Sequence, residues 1–406
     1  VYDKVGYSAH SQTSTFYVDL SPPVITDLSP ANGSFVGASL INATWTASDT
    51  GSAVNHYDVK VDSGAWTTIG AEANYALPFL DDGPHTFTVR AYDMAGFMAE
   101  SSTTFTVDTI KPTVSITAPP DAAYLNQTSV NVTWTGFDAN LDYYMLSVEL
   151  EGVTSPWIYP IHNTSYALSG LKEGAYHVYV RAQDKARNTE TASIIVTVDV
   201  TPPTLLVTAP KDGSYTVAKG VLVQWNSSDR NPDHVEVSID AGPWVNAGSG
   251  SSYIIESLTD GSHVLSVKAV DKAGNAKEAT VNITVDSKPP KLTVTSPENG
   301  EDLETPQVNV TWTGQDAESG IRVYRVKLDE GEWTETTESG LTLAGVSERP
   351  HTLVLEAVDK AGNTVQVSVA ITVGKTKATQ AVADVKARMD ALQGVGVWSD
   401  EARRIL

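Results

Sequence analysis

The sequence predicts an all-β protein: a tandem array of seven-stranded β-sandwiches followed by a short α-helical C-terminal tail. Three observations lead there. A Trp recurs as Trp45, Trp134, Trp225 and Trp312, at spacings of 89, 91 and 87 residues. Linker aspartates Asp19, Asp108, Asp199 and Asp286 recur at the same spacings, and Asp93, Asp184, Asp271 and Asp359 at 91, 87 and 88. Within each period, apolar and polar residues alternate over runs of about 5–8 positions between turn residues, the pattern of half-buried strands. Self-similarity at one period sets the architecture before any single residue is interpreted.

The elements follow in order. Residues 1–20 read as the last strands of a preceding repeat whose first half is missing, so the sequence looks like a fragment of a longer chain. Complete repeats are expected over 21–110, 111–200, 201–287 and 288–374. Each opens on a proline-bearing junction, such as Pro22-Pro23, Pro202-Pro203 or Pro289-Pro290. Proline fixes φ and restrains its predecessor, so these connections should be short and stiff and the array an elongated rod. An apolar first strand follows, then a strand ending in Trp (INATWT, VNVTWT, VLVQWN, VNVTWT), an acidic loop and a third strand. A turn leads to a second Trp (Trp66, Trp157, Trp244, Trp333), and two long strands close the unit. Residues 375–406 change character. Val382, Val385, Met389 and Leu392 make an amphipathic helical stripe ended by Gly394 and Gly396, with a second helix start at SDEARRIL. The tail is a helix that docks on the last sandwich, begins a stalk or starts a further domain.

Bulk properties narrow the function classes. A chain of 406 residues exceeds the ~250–300 at which single cores stop growing. Hydrophobic content of 41% with nine Trp and sixteen Tyr supplies several cores. No apolar run approaches the ~18 residues of a membrane-spanning helix, and no signal segment follows Val1. Net charge is −22, from 49 acidic against 27 basic residues. That disfavours nucleic acid and anionic membranes and leaves carboxylates for divalent cations. There is no cysteine, which suits an exported bacterial or archaeal surface protein, although the count alone leaves cytosolic residence open.

Trp45 and its equivalents alternate with apolar residues two positions away, as core residues do. For Trp66, Trp157, Trp244 and Trp333 structural packing is favoured, with a sugar-stacking platform as the rival. Each repeat also carries a corner, Leu77-x-x-Leu80-x-x-Gly83-x-His85 in the first and Leu168-x-x-Leu171-x-x-Gly174-x-Tyr176 in the second. With the second-strand Trp and the VKAVDKAGN-type stretches, these features resemble immunoglobulin/fibronectin III-like repeats of large bacterial and archaeal surface proteins. The resemblance covers residues 1–374 and implies a corner Tyr bonded to the backbone. Tyr176 holds that position, and His85, His263 and His351 replace it elsewhere, where an imidazole N–H supports a similar bond. In the loop beginning at Asp271, the aspartate caps a tight turn and Gly274 takes positive φ, as do Gly96 and Gly362. Arg187 replaces that glycine in the second repeat and implies local strain.

Topology places the loop after the Trp strand and the loop between the last two strands at the end facing the incoming linker. Asp49, Asp138, Asp229 and Asp316 lie in the first loop; Asp93, Asp184, Asp271 and Asp359 lie in the second. The expectation is a set of Ca²⁺ junction sites drawn from Asp108, Asp138, Asp184, Asp199, Asp229, Asp271, Asp286, Asp316 and Asp359, with Asp142, Asp233 or Glu318 as neighbours. No other cofactor is expected. N-glycosylation sequons occur at Asn32, Asn42, Asn126, Asn131, Asn163, Asn226, Asn282 and Asn309, eight of seventeen Asn, against roughly three expected from ordinary Ser and Thr frequency. Thr-rich strands producing sequons by chance is the alternative.

No Gly-x-Ser-x-Gly, Walker, His-Glu-x-x-His or dinucleotide motif occurs, and acids that repeat with the fold behave as structural positions. The sequence therefore points to a non-catalytic structural or adhesive stalk segment of a large secreted cell-surface protein, as a surface-layer, adhesin or filament component. Its expected partners are copies of itself or surface polymers and proteins. A carbohydrate-binding or spacer array of an extracellular enzyme is the alternative.

Overall fold

The computed structural model describes residues 4–6, 13–374 and 377–393. Strands of the first repeat are β1 (Val24–Ser29), β2 (Ser34–Val36), β3 (Asn42–Ser48), β4 (Val54–Val61), β5 (Thr67–Ile69), β6 (Asn74–Ala76), β7 (Gly83–Asp93) and β8 (Met98–Val107). They form two sheets, β1-β3-β6 and β2-β8-β7-β4-β5. All neighbours are antiparallel except β2 and β8, which run parallel with Ser34, Phe35 and Val36 opposite Phe105, Thr106 and Val107.

Eight strands stand where seven were expected, because the first is cut in two. Pro30, joined to Ser29 by a cis peptide bond, has no N–H to give a ladder. The chain leaves β1 there, and β2 joins the opposite sheet. Pro119, Pro210 and Pro297 follow cis bonds at the same place in the other repeats. The third and fourth repeats keep the three-plus-five arrangement. In the second, Val153–Thr154 and Ile158–Ile161 both pair with Leu141–Leu150.

Each sandwich encloses its own hydrophobic cluster. Trp45, Trp134, Trp225 and Trp312 are at most 4% exposed and belong to four different clusters. In three repeats the indole meets a third-strand Tyr edge-on: Trp45 and Tyr57 have centroids 5.1 Å apart at 81°, Trp134 and Tyr144 5.6 Å at 66°, Trp312 and Tyr324 5.4 Å at 63°. Such crossings place a positive ring edge on a negative ring face.

The chain divides into two compact units, Val1–Val200 and Thr201–Leu406, each holding two complete repeats. Residues 13–20 form no strand, and most of the rest of the expected strand pair lies outside the described residues. Phe16, Tyr17, Val18 and Leu20 are 68–91% exposed, and among the described residues no strand pairs with them. The tail forms an α-helix, Lys377–Gln393. Val382 and Val385 of its expected stripe are exposed, so they dock on no sandwich. The second helix start lies outside the described residues. Among the described residues no helix is long and apolar enough to cross a membrane.

Candidate functional site

Carboxylates gather at the linker-facing end of the repeats. In the first unit Asp19, Asp49 and Asp93 form one group and Asp108, Asp138 and Asp184 a second; in the second unit Asp286, Asp316 and Glu318 form another. Within each group every residue places a carboxylate oxygen within 4.8 Å of the others. The linker, the loop after the Trp strand and, in the first two groups, the turn between the last two strands supply the acids. Asp229 and Asp271 occupy the matching loops of the third repeat, where Asp229 Oδ1 accepts from Asn231 N at 2.6 Å. Asp199 is buried, and its own N–H donates to Leu125 O at 2.9 Å.

Local hydrogen bonding explains why the acids sit there. In the second group Asp184 Oδ1 accepts from Asn188 N at 2.8 Å and closes the turn. Arg187 takes φ 72° in that turn, where the other repeats have glycine at 85–102°; the strain expected at Arg187 is this left-handed backbone. Asp108 Oδ2 accepts from the Asn140 amide at 2.8 Å. The Asn188 amide donates both to Asp184 Oδ2 and to the Asp108 carbonyl, each at 2.8 Å. One neutral side chain thereby ties the turn to the linker.

The junction in the second unit repeats that device. The Asn363 amide donates to Asp359 Oδ2 at 2.8 Å and to the Asp286 carbonyl at 2.9 Å. Asp286 Oδ2 accepts from Ser319 Oγ at 2.6 Å. Asp359 was expected among the cation ligands here; the group of close oxygens holds Glu318, from the loop after the Trp strand, with Asp286 and Asp316. Lys288 Nζ reaches Glu318 Oε1 at 2.8 Å, and that hydrogen bond raises the ammonium's pKa above its ordinary value. In each unit a lysine also caps an aromatic ring of the preceding repeat, Lys185 over Phe35 at 5.3 Å and Lys360 over Tyr215 at 5.5 Å.

The first group differs. Asp19 Oδ2 accepts from Ser52 Oγ at 2.6 Å and Oδ1 from Ser21 N at 3.0 Å, and the serine hydroxyl leads the effects that hold this carboxyl below its ordinary pKa. Gly51 is required by the close approach, since a Cβ there would overlap the Asp19 carboxylate. Asp49 Oδ1 accepts from Gly51 N and Ser52 N at 2.9 and 2.6 Å. Asp93 Oδ1 accepts from Phe97 N at 2.9 Å. Phe97 stands where the other repeats have Asn188, Asn275 and Asn363.

The corner residues behave as expected. Tyr176 Oη accepts from Lys172 N at 2.9 Å. His85, His263 and His351 instead place Nε2 2.8 Å from the carbonyls of Asp81, Thr259 and Ser347. Sequence reasoning missed their second partner, an aspartate facing Nδ1: Asp62, Asp240 or Asp329 at 2.7–2.8 Å. The signal was present, because each of these follows the third strand at positive φ, and the one repeat with Tyr has Glu151 there. The second Trp set lies partly exposed under cations. Arg90 is 3.8 Å from the Trp66 centroid, Arg181 4.5 Å from Trp157, Lys268 4.3 Å from Trp244 and Lys327 5.0 Å from Trp333. A covered ring face gains cation–π attraction. All eight sequon asparagines are exposed.

Two family models match stretches of the chain. Residues 161–227 match the family model of the bacterial Ig-like domain (group 3). That likeness covers part of the chain, whose four repeats share the two-sheet sandwich. Residues 203–287 of the array also match the model of glucodextranase domain B. The chain is 26% identical over 330 residues to receptor-type tyrosine-protein phosphatase eta of Gallus gallus, covering 77% of this chain and 22% of the relative. It is 28% identical over 276 residues to exoglucanase B of Cellulomonas fimi, covering 61% and 24%. The chain thus spans less than a quarter of the length of these curated relatives. Among solved structures it is similar to a tetra-tandem repeat in the extending region of a large adhesion protein, at 20% identity and a TM-score of 0.32, covering 87% of this chain and 100% of that one.

Proposed function

We propose that this Ig-like array is a non-catalytic structural or adhesive segment of a large secreted cell-surface protein, which spaces or assembles through its repeats. One observation carries the reading: each repeat spends the same positions on the same structural tasks. The second-strand Trp fills the core, the corner His or Tyr ties the backbone, and the linker-facing Asp closes a turn. Acids copied with the fold are explained by the fold, whereas an active site is normally unique. On this reading the partners are further copies of the chain or surface polymers and proteins, and the exposed sequon asparagines carry glycans outside the cell. Electron microscopy of the purified protein tests it. Rods, filaments or a lattice are expected; compact particles would count against a spacing role.

A spacer or carbohydrate-binding array of an extracellular enzyme is the second reading. It is favoured by the likeness of part of the chain to glucodextranase domain B and by relatives named as exoglucanase B and endoglucanase B. Affinity electrophoresis through polysaccharide gels separates the two, since retardation abolished by Trp333→Ala would favour sugar binding. Trp333 is 36% exposed.

A further inference from the structure

We propose that Asp19, Asp49 and Asp93 bind one divalent cation, Ca²⁺ in preference to Mg²⁺, and that an asparagine amide stands in for that cation at the junctions of Asp108 and Asp286. The inference does not depend on the stalk reading.

The three acids come from three segments: the linker, the β3–β4 loop and the end of β7. Their oxygens lie within 4.8 Å of one another. Two oxygens on opposite sides of a Ca²⁺ with bonds of about 2.3–2.6 Å are about 4.6–5.2 Å apart, so the spacing admits one shared ion. Spacing alone would describe many acidic clusters. The deciding observation is Asp93. It is 1% exposed; its Oδ1 accepts from Phe97 N, while its Oδ2 is buried without a hydrogen-bond donor. Asp49 Oδ2 is in the same position. A carboxylate oxygen removed from water, undonated and beside two further carboxylates is expensive unless a cation shares the site.

Two of the other repeats show what fills this place. Asn188 and Asn363 keep the backbone turn of Phe97, and each sends its amide to the aspartate Oδ2 and to the linker carbonyl. Phe97 has the backbone N–H but no side-chain donor, so the first repeat keeps the acids and lacks the positive pole between them. Ligands spread over three chain segments suit the variable coordination of Ca²⁺ better than the strict octahedron of Mg²⁺. The bound ion would fasten residues 19–23 to the first sandwich.

Isothermal titration of the full chain with CaCl₂, and separately with MgCl₂, tests the proposal. One Ca²⁺ per chain is expected, with weaker Mg²⁺ uptake. Asp93→Asn keeps the turn acceptor and removes one of three ligand charges, so Ca²⁺ affinity should fall roughly tenfold or more. Phe97→Asn restores the amide and should weaken uptake comparably, while the melting temperature without Ca²⁺ rises. The proposal is overturned if wild type takes up no Ca²⁺, or if uptake is the same in both variants as in wild type.

Discussion

The imidazole Nδ1 of His263 lies 2.7 Å from Oδ2 of Asp240. Its other nitrogen is 2.8 Å from the Thr259 carbonyl, so the ring faces two acceptors, and only an imidazolium donates to both. Asp240 Oδ1 meanwhile accepts from Val264 N at 2.8 Å. His263→Ala removes both ring bonds from a residue 8% exposed and should lower stability by about 1–3 kcal/mol. Urea unfolding checks this, and loss below the lower figure would show that the corner is dispensable.

The same geometry gives a pH dependence. Burial opposes the charge on His85 and His263, but hydrogen bonds to Asp62 and Asp240 and to the upstream carbonyls outweigh it, and both pKa values rise above 6.5. A raised folded pKa stabilises below the unfolded value, and that contribution disappears as pH climbs through the folded value. Melting temperature should therefore fall as pH rises from 6.5 through the raised folded values. A variant carrying His85→Phe and His263→Phe should lose that slope.

Asp329 titrates on the acid side. Donation from Thr352 N, then His351 and Arg349, holds its pKa at about 2 against an ordinary 3.8. A depressed carboxyl stabilises above its unfolded value, and the contribution fades as pH falls from 3.8 towards 2. Asp329→Asn should thus be less stable than wild type at neutral pH and converge on it in acid, as read by thermal unfolding across that window.

Separate cores make core damage local. Trp225→Ala should cost about 3–5 kcal/mol, the usual loss for a buried Trp. Hydrogen exchange should quicken in strands of the third repeat and leave the first unit unchanged. Spread of the effect into residues 24–198 would contradict four independent interiors.

Asn188 offers a test of the amide bridge. Asn188→Ala leaves Asp184, 0% exposed, with an undonated oxygen and should destabilise by about 1–3 kcal/mol. Differential scanning calorimetry would show a lower transition. An unchanged scan would mean that water replaces the amide without loss.

The repeat and its tryptophans were legible because both obey strong rules: a period shared by three markers, and an indole that must find an interior. Strand positions followed from alternation. The split of β1 from β2 was hidden, since an apolar run ending in proline reads as one strand whichever sheet receives its last residues. Residues 13–20 show the converse, alternation without a partner strand among the described residues. The acid clusters were anticipated from topology, but which acid of a loop comes within reach, Glu318 in the group of Asp286 and Asp316, depends on side-chain directions that spacing does not carry. Asp62, Asp240 and Asp329 escaped because their histidines lie more than twenty positions downstream, a distance that only the antiparallel return of the chain closes.

The parallel pairing of β2 with β8 has a mechanical corollary. The chain reaches β2 after β1 and leaves the sandwich through β8, so tension carried past β1 drags these neighbours past each other lengthwise. Their hydrogen bonds must then fail together under shear, instead of peeling open one at a time, and each unit would resist extension until its terminal ladder ruptures.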